Sequence, residues 1–359
     1  MVDGVQKVAL ISHSLGEGGA ERFAANLSVM LDRLQFEVHN IIVEDRVDFR
    51  YAGTLYNLGA LCANLGAFSK KIYKGILLYK YLNKNSIDVI IDNRARNLFI
   101  RDFFAIKIFG YRKAYFIVHS YNLQSYLPKS KILAKLLYQK SELICVSKEI
   151  EKEIRRQYPS LRTSSIYNAI DLPTIEYRPA TAERFILFFG RLDDKVKNLS
   201  LLLEAFKLSR IYENGYRLLL IGDGPDVKQL VSLIEKQKLS AHVEIHPFVK
   251  DPFELVAKAH FTVLTSRYEG FPMSIIESLA AGTPVVSVDC KSGPSELIIN
   301  RKNGLLVSNH NAKALAEAFV ELAEDAELYH LCKNNARDSV KHLSVENISQ
   351  QWKQLLSNK

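Results

Sequence analysis

Cysteine is scarce in this chain and is never clustered. Its four cysteines, Cys62, Cys145, Cys290 and Cys332, lie far apart with no C-x-x-C pair. That spacing argues against a zinc site and offers no disulfide framework, and a reducing cytoplasmic setting is expected. No uninterrupted apolar run reaches the ~20 residues that a membrane-spanning helix needs. The chain runs from Met1 almost directly into the strand-like KVALIS, without the layout of a secretory signal. Short repeats and low-complexity tracts are absent. Acidic residues nearly vanish from one long stretch: between Gly66 and Lys140 there is no Glu, and 3 Asp face 15 Lys and Arg, a local excess of +12. The whole chain carries +9, so the remainder is −3. The basic character therefore belongs to one region and implies an anionic partner there. No helix-turn-helix or zinc motif supports nucleic acid as that partner.

What is present suits two packed domains. A length of 359 residues, with 48% hydrophobic and 24% charged residues, allows two cores in domains of ~150–180 residues. Lys7–Ser12 reads as a buried strand, followed by a glycine-rich turn and an amphipathic helix over Ala20–Arg33. Glu37–Val43, Asp88–Asp92, Ala114–Val118 and Glu142–Val146 continue as strands, with helical patterns between most of them. The alternation restarts at Arg184–Gly190 and proceeds through Arg217–Gly222, His242–Pro247, Phe261–Thr265 and Pro284–Val288. A loose segment bearing Pro173 and Pro179 places the boundary near Tyr167–Ala182, and Val345–Leu356 reads as a last amphipathic helix. Strand–helix alternation of this kind predicts parallel sheets covered on both faces, an α/β class. The expected division is a first domain over 1–170, a second over 171–340, and a last helix over 341–359. Ligands of such sheets bind beyond the carboxyl ends of the strands, in a cleft.

The motifs follow strands accordingly. Gly16-Glu17-Gly18-Gly19-Ala20-Glu21-Arg22 lies between the first strand and its helix, where glycines let backbone N–H groups approach an anion. Alone it is equally a structural turn. Glu44 and Asp45, after the second strand, also leave a dinucleotide reading open. Gly190-Arg191-Leu192-Asp193-Asp194-Lys195-Val196-Lys197-Asn198 opens the second domain in the same way. Arg191 and Lys197 there could flank a helix N-terminus as partners for two phosphates. The bland alternative is a solvated charged loop, with Asp193-Asp194 serving as a helix N-cap rather than a metal site. The most specific signal is Arg267-Tyr268-Glu269-Gly270-Phe271-Pro272, continuing through Glu277 to Ala-Gly-Thr-Pro-Val-Val. Glu269 sits in a loop, and Glu277 is two turns into a helix among Ile275, Ile276, Leu279 and Ala280. His119 closes a first-domain strand, in Phe116-Ile-Val-His-Ser.

Together these residues resemble the retaining GT-B glycosyltransferases of family 4, over essentially the whole chain. Glu269 and Glu277 stand seven residues apart, with Gly-Phe-Pro after the first and Ala-x-Gly-x-Pro-Val-Val after the second, as in that family. Gly16–Arg22 is similar to its G-G-A-E-R loop, and Gly190–Asn198 to its G-R-L…K-N segment. Ile221-Gly222-Asp-Gly-Pro225 is similar to its nucleotide-side loop, and Ser292–Glu296 to the segment after the next strand. Asn168–Asp171 resembles its interdomain N-G-I-D, with Ala169 in place of the usual Gly, and the Arg191–Lys197 spacing is longer than usual.

The resemblance implies a GT-B fold of two Rossmann-like doubly wound domains and transfer of a sugar from a nucleotide-diphosphate donor, UDP-linked by preference. Glu269, Arg191, Lys197 and His119 would then carry the chemistry. Gly18, Gly19, Gly222, Gly270, Phe271 and Glu277 would bind the donor, with Glu277 on the ribose. No metal and no cofactor is implied, and the acceptor would be a glycan or a lipid-linked glycan. Three alternatives share parts of the pattern: an NAD-dependent oxidoreductase, a nucleotide-sugar epimerase of the same fold, and a catalytically silent sugar-nucleotide-binding protein.

The basic stretch has its own reading. Phe68–Asn85 is expected to be a helix with Ile72, Ile76, Leu77, Tyr79 and Leu82 as apolar candidates and Lys70, Lys71, Lys74, Lys80 and Lys84 as its charges. Arg94, Arg96, Arg101, Arg112 and Lys113 add to it, interleaved with Phe99, Phe103, Phe104 and Tyr111. The plain reading is a core-facing helix with a solvated Lys face. The sharper one is an anionic membrane surface met by Lys70, Lys71, Lys74 and Lys80, with the protein peripheral on the inner face of the cytoplasmic membrane.

Overall fold

In the computed structural model, described over residues 5–16, 18–96, 98–172 and 184–357, the chain forms two compact units. Glu17 of the glycine-rich turn, and Pro173 and Pro179 of the expected linker, fall outside the described residues. One unit holds the residues up to Ala169 together with those from Val345 onward. The other spans Ile170–Ser344.

The first unit is built on seven parallel strands: β1 (Lys7–Ser12), β2 (Glu37–Ile42), β3 (Thr54–Asn57), β4 (Val89–Asp92), β5 (Lys113–Val118), β6 (Glu142–Cys145) and β7 (Arg162–Ser165). Their order across the sheet is β3-β2-β1-β4-β5-β6-β7. Val8 of β1 lies opposite Val38 of β2 and Val89 of β4, and successive residues of β1 from Val8 and all of β4 are buried, so the central strands are covered on both faces. On one side the helix Gly19–Arg33 buries Phe23, Leu27 and Leu31. The helix Val345–Ser357 packs beside it, with Trp352 fully buried 6.4 Å from the Phe23 ring and the Leu355 carbonyl accepting from the Tyr115 hydroxyl.

The second unit repeats the plan with six parallel strands: β8 (Phe185–Phe189), β9 (Arg217–Ile221), β10 (Val243–His246), β11 (Phe261–Leu264), β12 (Val285–Asp289) and β13 (Gly304–Ser308), in the order β10-β9-β8-β11-β12-β13. The two-residue period of the strand sorts its core. Ile186 and Phe188 join Phe206, Phe261 and Phe319 on one face, while Phe185 and Leu187 join Leu219, Ile221 and Val256 on the other. In each sheet the strand order reverses once, between β1 and β4 and between β8 and β11, and the carboxyl ends there are the natural ligand positions.

The basic stretch departs from its sequence reading. The helix Ala67–Lys84 does form, but Leu78 and Leu82 are its buried residues, and Ile72, Ile76 and Tyr79 are exposed. Lys74 is not on the solvated face: its ammonium donates to the Val43 carbonyl, and burial pushes its pKa down. Arg96 and Arg112 are buried as well. Arg112 donates to the carbonyls of Ile87 and Phe109 and to Asn83, and Arg94 is committed to Asp92 at 2.8–2.9 Å. These arginines hold the first unit together internally and contribute little to its surface. No helix among the described residues is long and apolar enough to cross a membrane.

Candidate functional site

The second unit places its charged motifs where its sheet order reverses. Gly190 leaves β8 with φ +147°, and the chain then forms a single helical turn over Asp194–Lys197. Arg191 precedes that turn, with a side chain 70% exposed. Lys197 ends it, immediately before Asn198, the N-cap of the helix Leu199–Ser209, so the two cations bracket one turn ahead of that helix start. The acidic pair is not used as expected. Asp193 occupies the N-cap with no side-chain capping bond, its carboxylate 3.8 Å from Arg191, whereas the Asp194 carboxylate accepts from the Ser200 N–H at 2.7 Å and from its hydroxyl, tying down the start of the helix Leu199–Ser209.

The loop after β11 is bonded to this turn. Thr265 donates to the Lys197 carbonyl at 2.8 Å, and the Arg267 N–H to that of Val196 at 2.8 Å. The Lys197 ammonium meets Glu269 Oε1 at 2.6 Å, and the Ser266 hydroxyl donates to the same oxygen at 2.6 Å. Both ion-pair partners are largely shielded, with side-chain exposures of 20% and 13%. The Glu269 N–H is held by the Lys291 carbonyl, and the Ser292 hydroxyl donates to the carbonyl of Gly270. Gly270 and Phe271 are buried. The helix Met273–Ala280 turns Ile275, Ile276, Ser278, Leu279 and Ala280 inward. Glu277 stays half-buried on the side it shares with Met273 and Ser274, as helical spacing requires. Lys197, Glu269, Gly270 and Phe271 thus come together, with Arg191 at the edge.

Gly222 has a packing reason to be glycine. A Cβ there would lie 1.9 Å from the Gly190 carbonyl oxygen, because the loops after β8 and β9 cross in contact. The N–H groups of Gly190 and Leu192 bond the carbonyls of Ile221 and Asp223 at 2.9 Å.

The first unit carries a second cluster at its own reversal point. Gly18, at φ +114°, caps the helix Gly19–Arg33. A Cβ on Gly19 would meet nothing within 4 Å, whereas one on Gly18 would meet the Glu21 carboxylate, so the helix start is open at Gly19 only. Glu21 in the first turn has its pKa raised by burial. His119 follows β5, edge-on to Phe23 at 4.9 Å, with Nε2 2.5 Å from Asn93 Oδ1. Burial, with the Arg96 charge nearby, pushes the His119 pKa down to about 3. The ring is therefore neutral at physiological pH, a hydrogen-bonding group rather than an acid. Asn93 was missed in the sequence, as was Ser266. Each immediately follows a strand, or nearly so, at a reversal point, and that rule is the signal that could have found them.

Two family descriptions divide the chain: Glycosyltransferase Family 4 over residues 17–173 and Glycosyl transferases group 1 over residues 175–339. A Campylobacter jejuni enzyme is 31% identical over 355 residues, covering 94% of this chain and 95% of its own. It is the N-acetylgalactosamine-N,N'-diacetylbacillosaminyl-diphospho-undecaprenol 4-alpha-N-acetylgalactosaminyltransferase. The amylovoran biosynthesis glycosyltransferase AmsD of Erwinia amylovora is 22% identical, covering 97% and 98%. Among solved structures, S. aureus TarM, in a complex that includes UDP, superposes with TM-score 0.82 at 16% identity, over 99% of this chain and 100% of that one. HepE of Anabaena, also with UDP, gives 0.78 at 18% identity, over 99% and 100%. The architecture is the GT-B class. The chain belongs to the glycosyltransferases of family 4, and it is a glycosyltransferase by that membership.

Proposed function

We propose that this enzyme moves a hexosyl or N-acetylhexosaminyl group from a UDP-linked donor, with retention, to a glycan or lipid-linked glycan in cell-surface polysaccharide or glycoconjugate synthesis. The observation that carries the reading is the shielded Lys197–Glu269 pair at 2.6 Å at the reversal point of the second sheet, with Arg191 on the loop that enters the same turn, 3.8 Å from Asp193. Departure of a nucleoside diphosphate concentrates negative charge on phosphate oxygens. Fixed cations stabilise that charge most in the transition state, supplying the electrostatic role a metal would otherwise take. In this reading Arg191 and Lys197 take the diphosphate, Glu269 meets the donor sugar with the backbone of Gly270 and Phe271, and Glu277 accepts from the ribose hydroxyls. Of the first unit, His119 is assigned to the donor sugar, and Gly18 and Gly19 to its distal phosphate or the sugar. The anomeric C–O bond to the diphosphate breaks, the acceptor oxygen bonds to the anomeric carbon on the same face, and the acceptor proton passes to the departing phosphate oxygen.

UDP is supported by its presence in the TarM and HepE complexes. A lipid-linked acceptor is supported by the diphospho-undecaprenol named for the Campylobacter enzyme. Such an acceptor would be met at an anionic membrane surface, on the cytoplasmic side, attracted by the lysines of this stretch that remain exposed, among them Lys71, Lys80, Lys107 and Lys131. Purified protein screened against a panel of nucleotide sugars with lipid-diphosphate-linked and soluble glycans should release UDP in preference to GDP or ADP. It should do so undiminished in chelator and give a product of unchanged anomeric configuration. Release of GDP or ADP alone would remove the donor assignment. Loss of turnover in chelator, restored by magnesium, would remove the metal-free one.

A further inference from the structure

Three helices on one face of the first sheet carry much of the basic excess and half of the exposed large apolar side chains among the described residues. The connections β3→β4, β4→β5 and β5→β6 all step the same way across the sheet. Right-handed crossovers therefore lay the helices Ala67–Lys84, Phe99–Phe109 and Lys131–Tyr138 on one face, in sequence. They are neighbours there, with Gly75 of the first close to Ile108 of the second. Among the described residues 22 large apolar side chains are exposed, and 13 of them lie within 66–140. Phe68 is 79% exposed, Ile100 70%, Phe104 61% and Ile132 80%. The five in the second unit, Leu208, Val231, Phe248, Ile299 and Leu331, are scattered over separate elements and loops. Lys71, Lys80, Lys84, Lys107, Lys131 and Lys135 are exposed among the apolar residues of the three helices. The acidic residues do not offset them: Asp92 and Asp102 are buried, and Asp88 accepts from the Lys7 N–H at the far end of β4.

Exposed apolar bulk on this scale marks a docking surface, and its charge selects the partner. A second copy of the same face would bring two strongly positive surfaces together. A nucleic acid would favour stacking rings, yet seven of the 13 exposed apolar residues are Ile or Leu. We propose that this face docks on an anionic bilayer. Its lysines would meet lipid phosphates, and Phe68, Ile100, Phe104 and Ile132 would enter the boundary between headgroups and acyl chains. This rests on the membrane reading above and adds insertion to attraction.

The chain's single tryptophan, Trp352, is fully buried, so its emission is a constant background that lipid quenchers do not reach, and a tryptophan placed on the surface is read as the difference from the native chain. Phe104→Trp should shift its emission to the blue and be quenched by brominated acyl chains in phosphatidylglycerol vesicles, but not in phosphatidylcholine vesicles. Phe248→Trp, on the second unit, should do neither. Replacing Ile100 and Phe104 together by Ser should weaken binding to phosphatidylglycerol vesicles at least about tenfold. Unquenched Phe104→Trp on bound vesicles, or full binding by the double Ser variant, would overturn insertion. A blue shift that needs no vesicles and grows with protein concentration would show a second copy on this face and overturn the bilayer. UDP release with a water-soluble acceptor, measured in parallel, should stay within about twofold in every variant. Its absence in the native chain, with quenching intact, would count against the glycosyl-transfer reading and leave the docking surface standing.

Discussion

At the scale of single residues, the proposed donor chemistry rests on a few charges whose neighbours the structure gives. Lys197→Ala or Arg191→Ala should lower turnover by ~10²-fold or more, the size associated with lost stabilisation of transition-state charge. Lys197→Ala also leaves Glu269 without its cation, so its effect should exceed that of the exposed Arg191. Near-normal rates in both variants would end the phosphate assignment, and thermal midpoints would show whether folding was responsible. Glu277→Gln should instead raise the dissociation constant for the nucleoside diphosphate, because a ribose contact acts in ground and transition states alike. Unchanged affinity by titration would count against that role. Asn93 is a positioning residue. Its amide donates to the Ala20 carbonyl at 2.8 Å and to Ser12 Oγ at 3.3 Å, which turns Oδ1 toward His119. Nε2 then carries the ring hydrogen and Nδ1 is left as an acceptor. Asn93→Asp keeps the shape but puts a carboxylate beside the imidazole, which favours the cation. Turnover should fall, and the acid limb of its pH profile should move upward. A lower rate with the limb unmoved would reduce Asn93 to packing. None of this was readable beforehand. Motif order identifies Lys197 and Glu269 one at a time, whereas their pairing and the Asn93 bridge arise only when separate strands are brought side by side.

Among the elements, the central strands were legible because burial on both faces forces continuous apolar runs such as FILFF in β8 and RLLLI in β9. The strands that the sequence did not disclose, β3, β7 and β13, all lie at sheet edges. TLYN and RTSS alternate weakly because an edge strand answers to only one neighbour and partly to water. The helix Ala67–Lys84 misled for a related reason. Its apolar residues outnumber those the sheet can cover, so periodicity alone could not say which face turns inward. The crossing of the loops after β8 and β9 was equally invisible, and it makes a testable demand. Gly222→Ala would place a Cβ 1.9 Å from a backbone oxygen, at φ +148°, where no flexible side chain can yield. The second unit should lose ~2–4 kcal/mol of stability, within the range for strained or overpacked sites. Denaturant midpoints would check it, and a midpoint equal to the native one would show that the loops separate freely.

For the whole molecule, one contribution to acid sensitivity comes from a partly buried histidine in each unit whose pKa burial lowers. In the second unit His260 stacks on Tyr329 at 4.1 Å and lies 3.3 Å from the Tyr216 hydroxyl, and burial pushes its pKa down to about 4. In the first unit His119 is lowered to about 3 by burial first and by the Arg96 charge second. An unfolded histidine titrates near 6.5, so between that value and the folded pKa the unfolded chain binds more protons than the folded one. Stability from these rings is therefore fully present above about pH 6.5 and is lost as pH falls toward 4 and then 3. From pH 7 to pH 5 the His260 contribution alone amounts to ~2 kcal/mol, which for a unit of this size lowers the thermal midpoint by roughly 4–8 °C. His260→Phe keeps the aromatic stack, loses the bond to Tyr216 and removes the titration. Its midpoint at pH 7 should be slightly lower than that of the native chain, but the fall between pH 7 and pH 5 should shrink by about that amount. Calorimetry at the two pH values reads both numbers. An equal acid-induced fall in His260→Phe and the native chain would place the acid-sensitive group elsewhere, with His119 the next to replace.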